Sequence, residues 1–226
     1  MKLISSWSGG KDSCLALFKA IQKGYEISIL LNFISEEYKR CCFHGVSNEL
    51  MNIQADAIEI PIFQRSVPAD MEEYETQFKL VVNELKTKRK IQGMIFGDIY
   101  LEEHKSWVER VCNDIEITPI EPLWNLPVEE VVKEFIDIGF KAIVISAKVD
   151  LFKEDFVGRE VDDEMISEIK KKNICPCGEN GEFHTFVYDG PIFKKKIIIN
   201  ETEKILKEGF WKHWFLDIKK YKIEQK

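Results

Sequence analysis

Near the start of the chain stands the hexapeptide Ser8-Gly9-Gly10-Lys11-Asp12-Ser13, directly after an apolar run at residues 3–7. This order predicts a strand, a glycine turn and a helix that begins at Lys11. Adjacent glycines permit a tight turn whose N–H groups face an anion, and the helix directs its positive end at the same place. Lys11 and the two serine hydroxyls can add hydrogen bonds to phosphate oxygens. We refer to residues 8–13 as the phosphate loop.

The phosphate loop does not have the Walker spacing, which requires four residues between its glycines and a Gly-Lys-Ser/Thr ending. Here the glycines are adjacent and Asp12 follows the lysine. The hexapeptide instead resembles the PP-loop of the N-type ATP pyrophosphatases, which cleave ATP between the α and β phosphates and transfer AMP to a carboxylate or carbonyl oxygen. The alternative is an ordinary strand-to-helix turn with incidental polar residues.

Composition limits the class of protein. The 226 residues are 45% hydrophobic and 31% charged, which is typical of a globular domain or two smaller ones. No apolar stretch approaches a membrane span, and the N-terminus resembles a strand rather than a signal peptide, so we expect a cytoplasmic protein without membrane contact. The net charge of −7 disfavours nucleic acid as the main partner. The six cysteines are expected to be free thiols, with no disulfide and no structural metal.

Strands and helices alternate in the first half of the chain, which predicts an α/β fold with a parallel sheet. Strands are expected at 27–33, 57–60, 93–98 and 115–119, and helices at 11–23, 46–54, from 68 onward and 101–113. Ligands bind beyond the carboxyl ends of such strands, where Ser8 and Asp98 both lie. Asn32 and Phe33 end the second strand, where PP-loop folds hold adenine, although core packing is the stronger expectation for Phe33.

Three prolines between residues 119 and 127 suggest a domain boundary. We therefore predict a PP-loop ATP-binding domain at residues 1–125, with the adenine nucleotide alpha hydrolase-like (HUP) fold that this resemblance implies. Residues 126–226 would form a smaller α+β substrate-binding domain. In this second part we expect helices at 128–138 and 162–172, and extended segments at 141–146, 185–188, 195–199 and near Trp214.

Residues 175–185 read Cys-Pro-Cys-Gly-Glu-Asn-Gly-Glu-Phe-His-Thr, and we refer to them as the acidic loop. The glycines allow close approach to a ligand, while Glu179, Glu182 and His184 offer charge and proton transfer. Composition alone favours the alternative, a solvated hairpin with glycine turn chemistry. The pair Cys175 and Cys177 has one intervening residue, which is not a zinc spacing.

Four motifs in order resemble the diphthine–ammonia ligase family. They are the phosphate loop, the Gly97-Asp98-Ile99 strand exit, the segment Glu121-Pro122-Leu123-Trp124, and residues 178–185 of the acidic loop. The resemblance extends from Ser8 to about Phe193. One departure is Cys175, at a position where the family often has aspartate.

This resemblance implies the last step of diphthamide synthesis. ATP would activate the carboxylate of a diphthine residue on translation elongation factor two as an acyl-adenylate with release of pyrophosphate, and ammonia would then displace AMP. The implied cofactors are ATP and Mg²⁺, and the implied partners are the elongation factor and free ammonia. A homo-oligomer is left open.

The implied site residues fall into four groups. Catalytic roles are predicted for Lys11, Asp12, Asp98, Glu182 and His184. Nucleotide contacts are predicted for Ser8, Gly9, Gly10, Lys11, Asp12, Ser13, Asn32, Phe33 and Gly97. Substrate contacts are predicted for His44, Trp124, Glu179, Asn180, Gly181, Glu182 and Phe183, and Mg²⁺ ligands for Asp12 and Asp98.

Several of these residues have an ordinary structural alternative. Asp98 is equally suited to capping the helix that follows it. His44 and His184 are at least as well explained as packed, hydrogen-bonded histidines. We also expect Lys11→Ala to abolish pyrophosphate release with little loss of folding, since a lysine that faces phosphate does not belong to the core.

Two other functions remain open from the sequence. A tRNA-thiolating PP-loop enzyme would need a cysteine pair and a basic surface, and the acidic charge and the cysteine spacing both disfavour it. A nucleotide-binding regulatory module without turnover would not need the polar groups of the acidic loop.

Overall fold

Two β-sheets organise the protein, for which a computed structural model describes residues 1–42, 44–208 and 212–226. In chain order the elements are β1 (Lys2–Ser6), α1 (Lys11–Gln22), β2 (Glu26–Ser35), α2 (Asn48–Ile58), β3 (Ile62–Val67), α3 (Met71–Arg89), β4 (Gly93–Ile95), α4 (Glu102–Asp114), β5 (Thr118–Ile120), α5 (Val128–Asp137), β6 (Lys141–Lys148), a 3-10 turn (Glu154–Phe156), α6 (Asp163–Lys171), β7 (Phe183–Asp189), β8 (Lys195–Glu208) and β9 (Lys212–Gln225).

The first sheet contains five parallel strands in the order β3-β2-β1-β4-β5. The second contains four antiparallel strands in the order β7-β6-β9-β8. The predicted α/β fold, a parallel PP-loop sheet followed by a smaller α+β region, is therefore confirmed. Because β1 is central in the parallel sheet, the loop after it opens at the carboxyl edge where such folds bind ligands.

The strand predicted at residues 57–60 is wrong. Ala57 and Ile58 complete helix α2, and Glu59 closes it with a left-handed φ of 62°. The third strand begins only after Pro61, at Ile62. The strand predicted at 115–119 is also displaced, because Ile115 caps α4 and the pairing with β4 begins at Thr118. Both segments are short apolar runs, which suit a helix end as well as a strand.

The core consists of two hydrophobic clusters on opposite faces of the parallel sheet. Leu3 and Ile4 are consecutive in β1 and contribute to different clusters, as the alternation of a strand requires. One cluster packs α3 and α4 on the sheet through residues such as Phe78 and Val108. The other continues from α1 and α2 into the antiparallel sheet, where Phe186 is fully buried. Since this cluster includes both sheets, the division at residues 125 and 126 stays a prediction.

Side-chain caps fix the starts of three helices. Ser47 accepts a hydrogen bond from the amide of Leu50, and Asp162 caps α6 in the same way. Asp70 caps α3, which therefore starts at Met71, three residues after Pro68. Among the described residues, no helix combines the length and the apolar character needed to cross a membrane. All six cysteines are unpaired thiols.

Candidate active site

The phosphate loop leaves the end of β1 and enters α1 at Lys11. Gly9 has a φ of +74°, a left-handed conformation that favours glycine, and Gly10 is the N-cap of α1 with no side-chain cap. The amide of Gly10 donates to the Ser8 hydroxyl at 3.3 Å, and the hydroxyls of Ser8 and Ser13 lie 3.2 Å apart. A helix N-terminus whose N-cap residue has no side chain leaves the following amides of the first turn for an anionic ligand.

Gln54 holds the phosphate loop in place through side-chain hydrogen bonds. This residue was not identified from the sequence. Its side chain is fully buried and donates to the carbonyls of Gly9 at 2.9 Å and Val187 at 2.6 Å. Its oxygen accepts from the Trp7 indole at 2.9 Å. The one available signal was a glutamine on the apolar face of α2, next to Met51 and Ala55. Gln54 thus connects β1, α2 and β7 at the loop.

Lys11 joins the phosphate loop to the acidic loop. Its backbone amide donates to the Thr185 hydroxyl at 3.0 Å. Its ammonium donates to Asp12 Oδ2 at 2.8 Å and to the carbonyl oxygen of Cys177, and lies 5.5 Å from the centre of the Phe183 ring. With only 4% of its surface exposed, Lys11 belongs to the packed interior, so the expectation that it lies outside the core is wrong.

Burial and charge act in opposite directions on the two side chains of this ion pair. Burial works to lower the pKa of Lys11, but the charge and hydrogen bond of Asp12, together with the nearby Cys177 and Glu179, outweigh it and raise the pKa. Burial raises the pKa of Asp12 despite the opposing effect of Lys11. The second carboxylate oxygen of Asp12 is buried and finds no hydrogen-bond partner among the described residues. The loop therefore holds one acceptor that is ready for a cation or a donor.

Three ligand-bearing side chains meet beside this pair. Asp98, His104 and Glu179 each place one oxygen or nitrogen within 4.8 Å of the others. Asp98 Oδ1 lies 2.9 Å from His104 Nδ1, and Glu179 Oε1 accepts from the amide of Ile99 at 2.9 Å. The helix that follows begins at Glu102 with Leu101 as its N-cap, so the capping alternative for Asp98 is wrong.

The charges of this cluster influence one another. The hydrogen bond to Asp98 raises the pKa of His104. Burial raises the pKa of Glu179, with further contributions from the charges of Asp12 and Asp98. The β4 exit approaches α1 closely because residue 97 is glycine, where a Cβ would lie 3.0 Å from the backbone carbonyl carbon of Asp12. This approach brings Asp98 next to the phosphate loop.

Glu182 organises the acidic loop from within. One of its carboxylate oxygens accepts from the Asn180 amide at 2.9 Å, and the other from the Asn180 side chain at 3.1 Å. That side chain also donates to the Tyr100 hydroxyl at 2.9 Å, while Lys148 donates to the Asn180 carbonyl at 2.8 Å. Gly181 forms the turn between Asn180 and Glu182, and its amide donates to the Gly178 carbonyl. Tyr100 and Lys148 were not identified from the sequence.

His44 and His184 pack against each other beside the phosphate loop, with ring centres 4.6 Å apart and ring planes tilted by 42°. Burial lowers the pKa of His44 to about 4. Burial, helped by the neighbouring His44 and Lys11, also places the pKa of His184 well below its ordinary value. Both rings are therefore neutral at pH 7. Nδ1 of His44 is buried and neither accepts nor donates a hydrogen bond within the described ranges.

The remaining predicted contacts lie within the packed structure. Asn32 is buried and donates to the Trp7 carbonyl at 2.9 Å and to Cys41 Sγ at 3.0 Å. Phe33 packs between Tyr74 and Phe78, in agreement with the expectation that it is a core residue. Phe183 is buried under Lys11. Trp124 is half-buried, with the Lys105 ammonium 4.6 Å from its ring centre. For all four residues, ligand contact stays a prediction.

Three buried cysteines near the site, Cys14, Cys41 and Cys177, are held as protonated thiols. Burial raises the pKa of Cys41 to about 12 and raises the pKa of Cys14 and Cys177 strongly as well. Because the thiolate is the nucleophile, none of these three side chains is poised to attack a substrate.

A central strand, a glycine loop and a helix start with glycine as its N-cap, all at the carboxyl edge of a parallel sheet, define a PP-loop nucleotide-binding α/β protein. Two family models match the chain, the diphthamide synthase N-terminal domain over residues 1–119 and the diphthamide synthase C-terminal domain over residues 127–223. The chain belongs to the diphthamide synthase family.

The curated relatives that it resembles are named diphthine–ammonia ligase. The protein of Mus musculus is 27% identical over 251 residues, which cover all of this chain and 94% of the relative. The protein of Homo sapiens is 28% identical and covers 91% and 85% of the two chains. A solved structure from Methanocaldococcus jannaschii, described as a predicted subunit of tRNA methyltransferase, has a TM-score of 0.47 at 16% identity, and covers 84% of this chain and 98% of its own. The chain is thus a member of an enzyme family whose relatives are C–N bond-forming ligases by name.

Proposed function

We propose that this protein is an ATP-dependent amide ligase that converts diphthine on translation elongation factor two to diphthamide with free ammonia. Membership of the family and the names of its relatives support the overall reaction. The proposal also includes three more specific statements. The reaction proceeds through an acyl-adenylate, the elongation factor is the acceptor, and the protein acts in the cytoplasm, where translation occurs.

One observation carries the proposal, namely the direct connection of the two loops at Lys11. The lysine that would meet the phosphates is hydrogen-bonded to Cys177 and Thr185 of the acidic loop. A nucleotide on the phosphate loop would therefore sit against the carboxylates and the imidazole of the second loop. A binding module without turnover would need only the first of these loops.

In the first step, a carboxylate oxygen of diphthine attacks the α-phosphorus of ATP, and the bond from that phosphorus to the bridging oxygen of pyrophosphate breaks. The negative charge that develops on pyrophosphate is stabilised by Lys11, the loop amides and the positive end of α1. Ser8 and Ser13 add hydroxyl donors at the same place. The contribution of the protein is positioning and electrostatics, since AMP itself makes the carboxylate a good electrophile.

In the second step, the ammonia nitrogen attacks the activated carbonyl carbon, and AMP leaves with its carboxylate-derived oxygen. One proton leaves the nitrogen, and His184 is the predicted acceptor. Its depressed pKa keeps the ring in the neutral form that can accept a hydrogen bond from ammonia before the reaction. The same depressed pKa means that a proton taken up there passes readily to solvent or to the departing phosphate.

Recognition of diphthine requires groups that suit a quaternary ammonium, which are carboxylates and aromatic faces. Glu179 and Trp124 are the proposed contacts, with Asn180 and Gly181 lining the approach. Glu182 would act by holding Asn180 in place, since both of its oxygens already accept hydrogen bonds from that residue.

The residues present fit a hard divalent cation such as Mg²⁺. Asp12 has a buried oxygen without a hydrogen-bond partner within the described residues, and Asp98 supplies a second carboxylate beside the phosphate loop. Carboxylate oxygens are the ligands that Mg²⁺ prefers. When bound, the ion would neutralise negative charge on the phosphates.

A turnover assay with α-labelled ATP, ammonium and diphthine-bearing elongation factor tests this proposal, with the factor omitted as control. We expect AMP and pyrophosphate only when the factor is present, together with an amide on the factor by mass spectrometry. Formation of ADP would overturn the pyrophosphatase chemistry. Formation of AMP without the factor would overturn the acceptor, and would direct attention to tRNA or another substrate.

A further inference from the structure

The cluster of Asp98, His104 and Glu179 draws its three members from different segments. Asp98 follows β4, His104 lies in the first turn of α4, and Glu179 belongs to the acidic loop. The separation of 2.9 Å between Asp98 Oδ1 and His104 Nδ1 is close to that of two adjacent ligands on an octahedral ion, which is about 3 Å for metal–ligand bonds of about 2.1 Å.

We propose that Asp98, His104 and Glu179 together form a divalent-cation site with one nitrogen and two oxygen ligands. This inference deepens the proposed function, because it extends the Asp12 and Asp98 pair by two ligands that the sequence did not suggest. It also assigns His104, which the reaction scheme does not otherwise use, a metal-binding role. Glu179 then meets the ion rather than the quaternary ammonium of diphthine, and Trp124 is left for that contact.

The local charge balance supports a cation here. Asp12, Asp98 and Glu179 bring three carboxylates together, and the ammonium of Lys11 is already bound to Asp12 Oδ2 and to the Cys177 carbonyl. One carboxylate oxygen of Glu179 accepts a hydrogen bond from a backbone amide, and Glu179 forms no ion pair with any of the described residues. Asp12, whose charge interacts with those of Asp98 and Glu179, adds a buried oxygen that no donor of the described residues satisfies.

The chemistry of the ligands determines which ion the site prefers. Magnesium binds oxygen ligands and only reluctantly exchanges water for nitrogen, whereas imidazole improves the binding of first-row transition ions. We therefore expect Mn²⁺ to bind more tightly than Mg²⁺, with His104 as the source of the difference. The ion would also tie the acidic loop to the exit of β4 through Glu179.

An ordinary ion pair between Asp98 and His104 is the competing explanation. It predicts neither stoichiometric metal binding nor any part for Glu179 in such binding. The two explanations can be separated in the full-length protein without any turnover.

The experiment is a titration of metal-free protein with Mn²⁺, in which electron paramagnetic resonance reports the free ion and Mg²⁺ is the competitor. It compares the wild type with His104→Ala, Glu179→Gln and the control Glu102→Gln, which changes an exposed carboxylate in the same first turn of α4. We expect one Mn²⁺ per chain, at least about tenfold weaker binding in both site variants, and wild-type binding in the control. In His104→Ala, the preference for Mn²⁺ over Mg²⁺ should fall.

Wild-type affinity in both site variants would overturn the proposal, and a loss confined to one of them would overturn the three-ligand set. Absence of Mn²⁺ binding, with or without a non-hydrolysable ATP analogue, would overturn the site altogether. Ammonia and the protein acceptor take no part in the titration, so a failure here is distinct from a failure of the amidation assay. Thermal melts of each variant establish that the proteins are folded. His104→Ala is expected to fold, because the side chain of His104 is more than half exposed.

Discussion

The phosphate loop and the acidic loop meet at Lys11, but they are held in place by different kinds of contact. The phosphate loop is fixed through its backbone, with the Gly9 carbonyl bound by Gln54 and the Lys11 amide bound by Thr185. The acidic loop is fixed largely through side chains, with Asn180 at the centre of a network of four hydrogen bonds. The first arrangement tolerates little change, whereas the second can be altered one hydrogen bond at a time.

The largest effect is expected from Lys11→Ala, which removes the side-chain hydrogen bonds to Asp12 and to the Cys177 carbonyl but leaves the backbone bond to Thr185. Pyrophosphate release should fall by about 100- to 1000-fold, because a charge that stabilises the leaving group is lost. Stability should also fall, by about 1–3 kcal/mol, since Asp12 and the Cys177 carbonyl lose their buried donor. Single-turnover kinetics and urea unfolding measure the two effects separately.

The matched control is Lys19→Ala in the same helix, which removes only a surface ion pair with Glu134. It should retain full activity and lose less than about 1 kcal/mol of stability. Equal losses in the two variants would show that the position of Lys11 between the loops has no special importance.

Glu182→Ala should separate the loops functionally. Without its carboxylate, Asn180 loses two hydrogen bonds, and we expect product formation to fall by about 100-fold through misplacement of the substrate. Binding of ATP should be unchanged, because the side-chain hydrogen bonds of Glu182 within the described residues go to Asn180 and not to the phosphate loop. Equilibrium binding of a fluorescent ATP analogue provides the measurement. A parallel loss of ATP binding would contradict the separation of the two loops.

Tyr100→Phe tests the edge of the same network. The variant keeps the ring and removes the hydroxyl, which accepts from the Asn180 side chain at 2.9 Å and donates to Cys175 Sγ at 3.6 Å. We expect a three- to tenfold lower kcat, about the value of one hydrogen bond, with an unchanged Kd for ATP. If kcat equals that of the wild type, the network does not extend to Tyr100.

The smallest expected effect concerns stability and pH. The pKa of Glu179 is raised in the folded protein, so the native state binds a proton more readily than the unfolded chain, and this carboxyl costs stability as the pH rises through its raised pKa. In metal-free protein, Glu179→Gln should therefore increase Tm at pH 7, by about 2–4 °C for each kcal/mol gained. The gain should disappear toward pH 4.

Calorimetry in the presence of EDTA at both pH values measures this difference, with Glu102→Gln as the exposed control. A variant that melts below the wild type at pH 7 would indicate that the charge of Glu179 is stabilising in the folded protein.

The same contrast explains which parts of the molecule the sequence could reveal. The phosphate loop is local, since its strand, its glycines and its helix start are adjacent in the chain. The contacts of Gln54, Tyr100 and His104 are not local, and each of these residues looks like an ordinary helix or loop residue in the sequence. For the same reason, the apolar run at Ala57 and Ile58 is compatible with a strand when only the sequence is considered. In the structure these two residues belong to α2, which ends at the left-handed Glu59, two residues before Pro61.

The hydrogen bond from the Lys11 amide to Thr185 has a consequence for biosynthesis. Its two ends are separated by 174 residues, so the ribosome completes one of them about 9–35 s before the other, at about 5–20 residues per second. The direct bond from the Val187 amide to the Gly9 carbonyl shares this delay. During that interval the nascent phosphate loop lacks both of these contacts, and its native shape is completed only after β7 has emerged and docked.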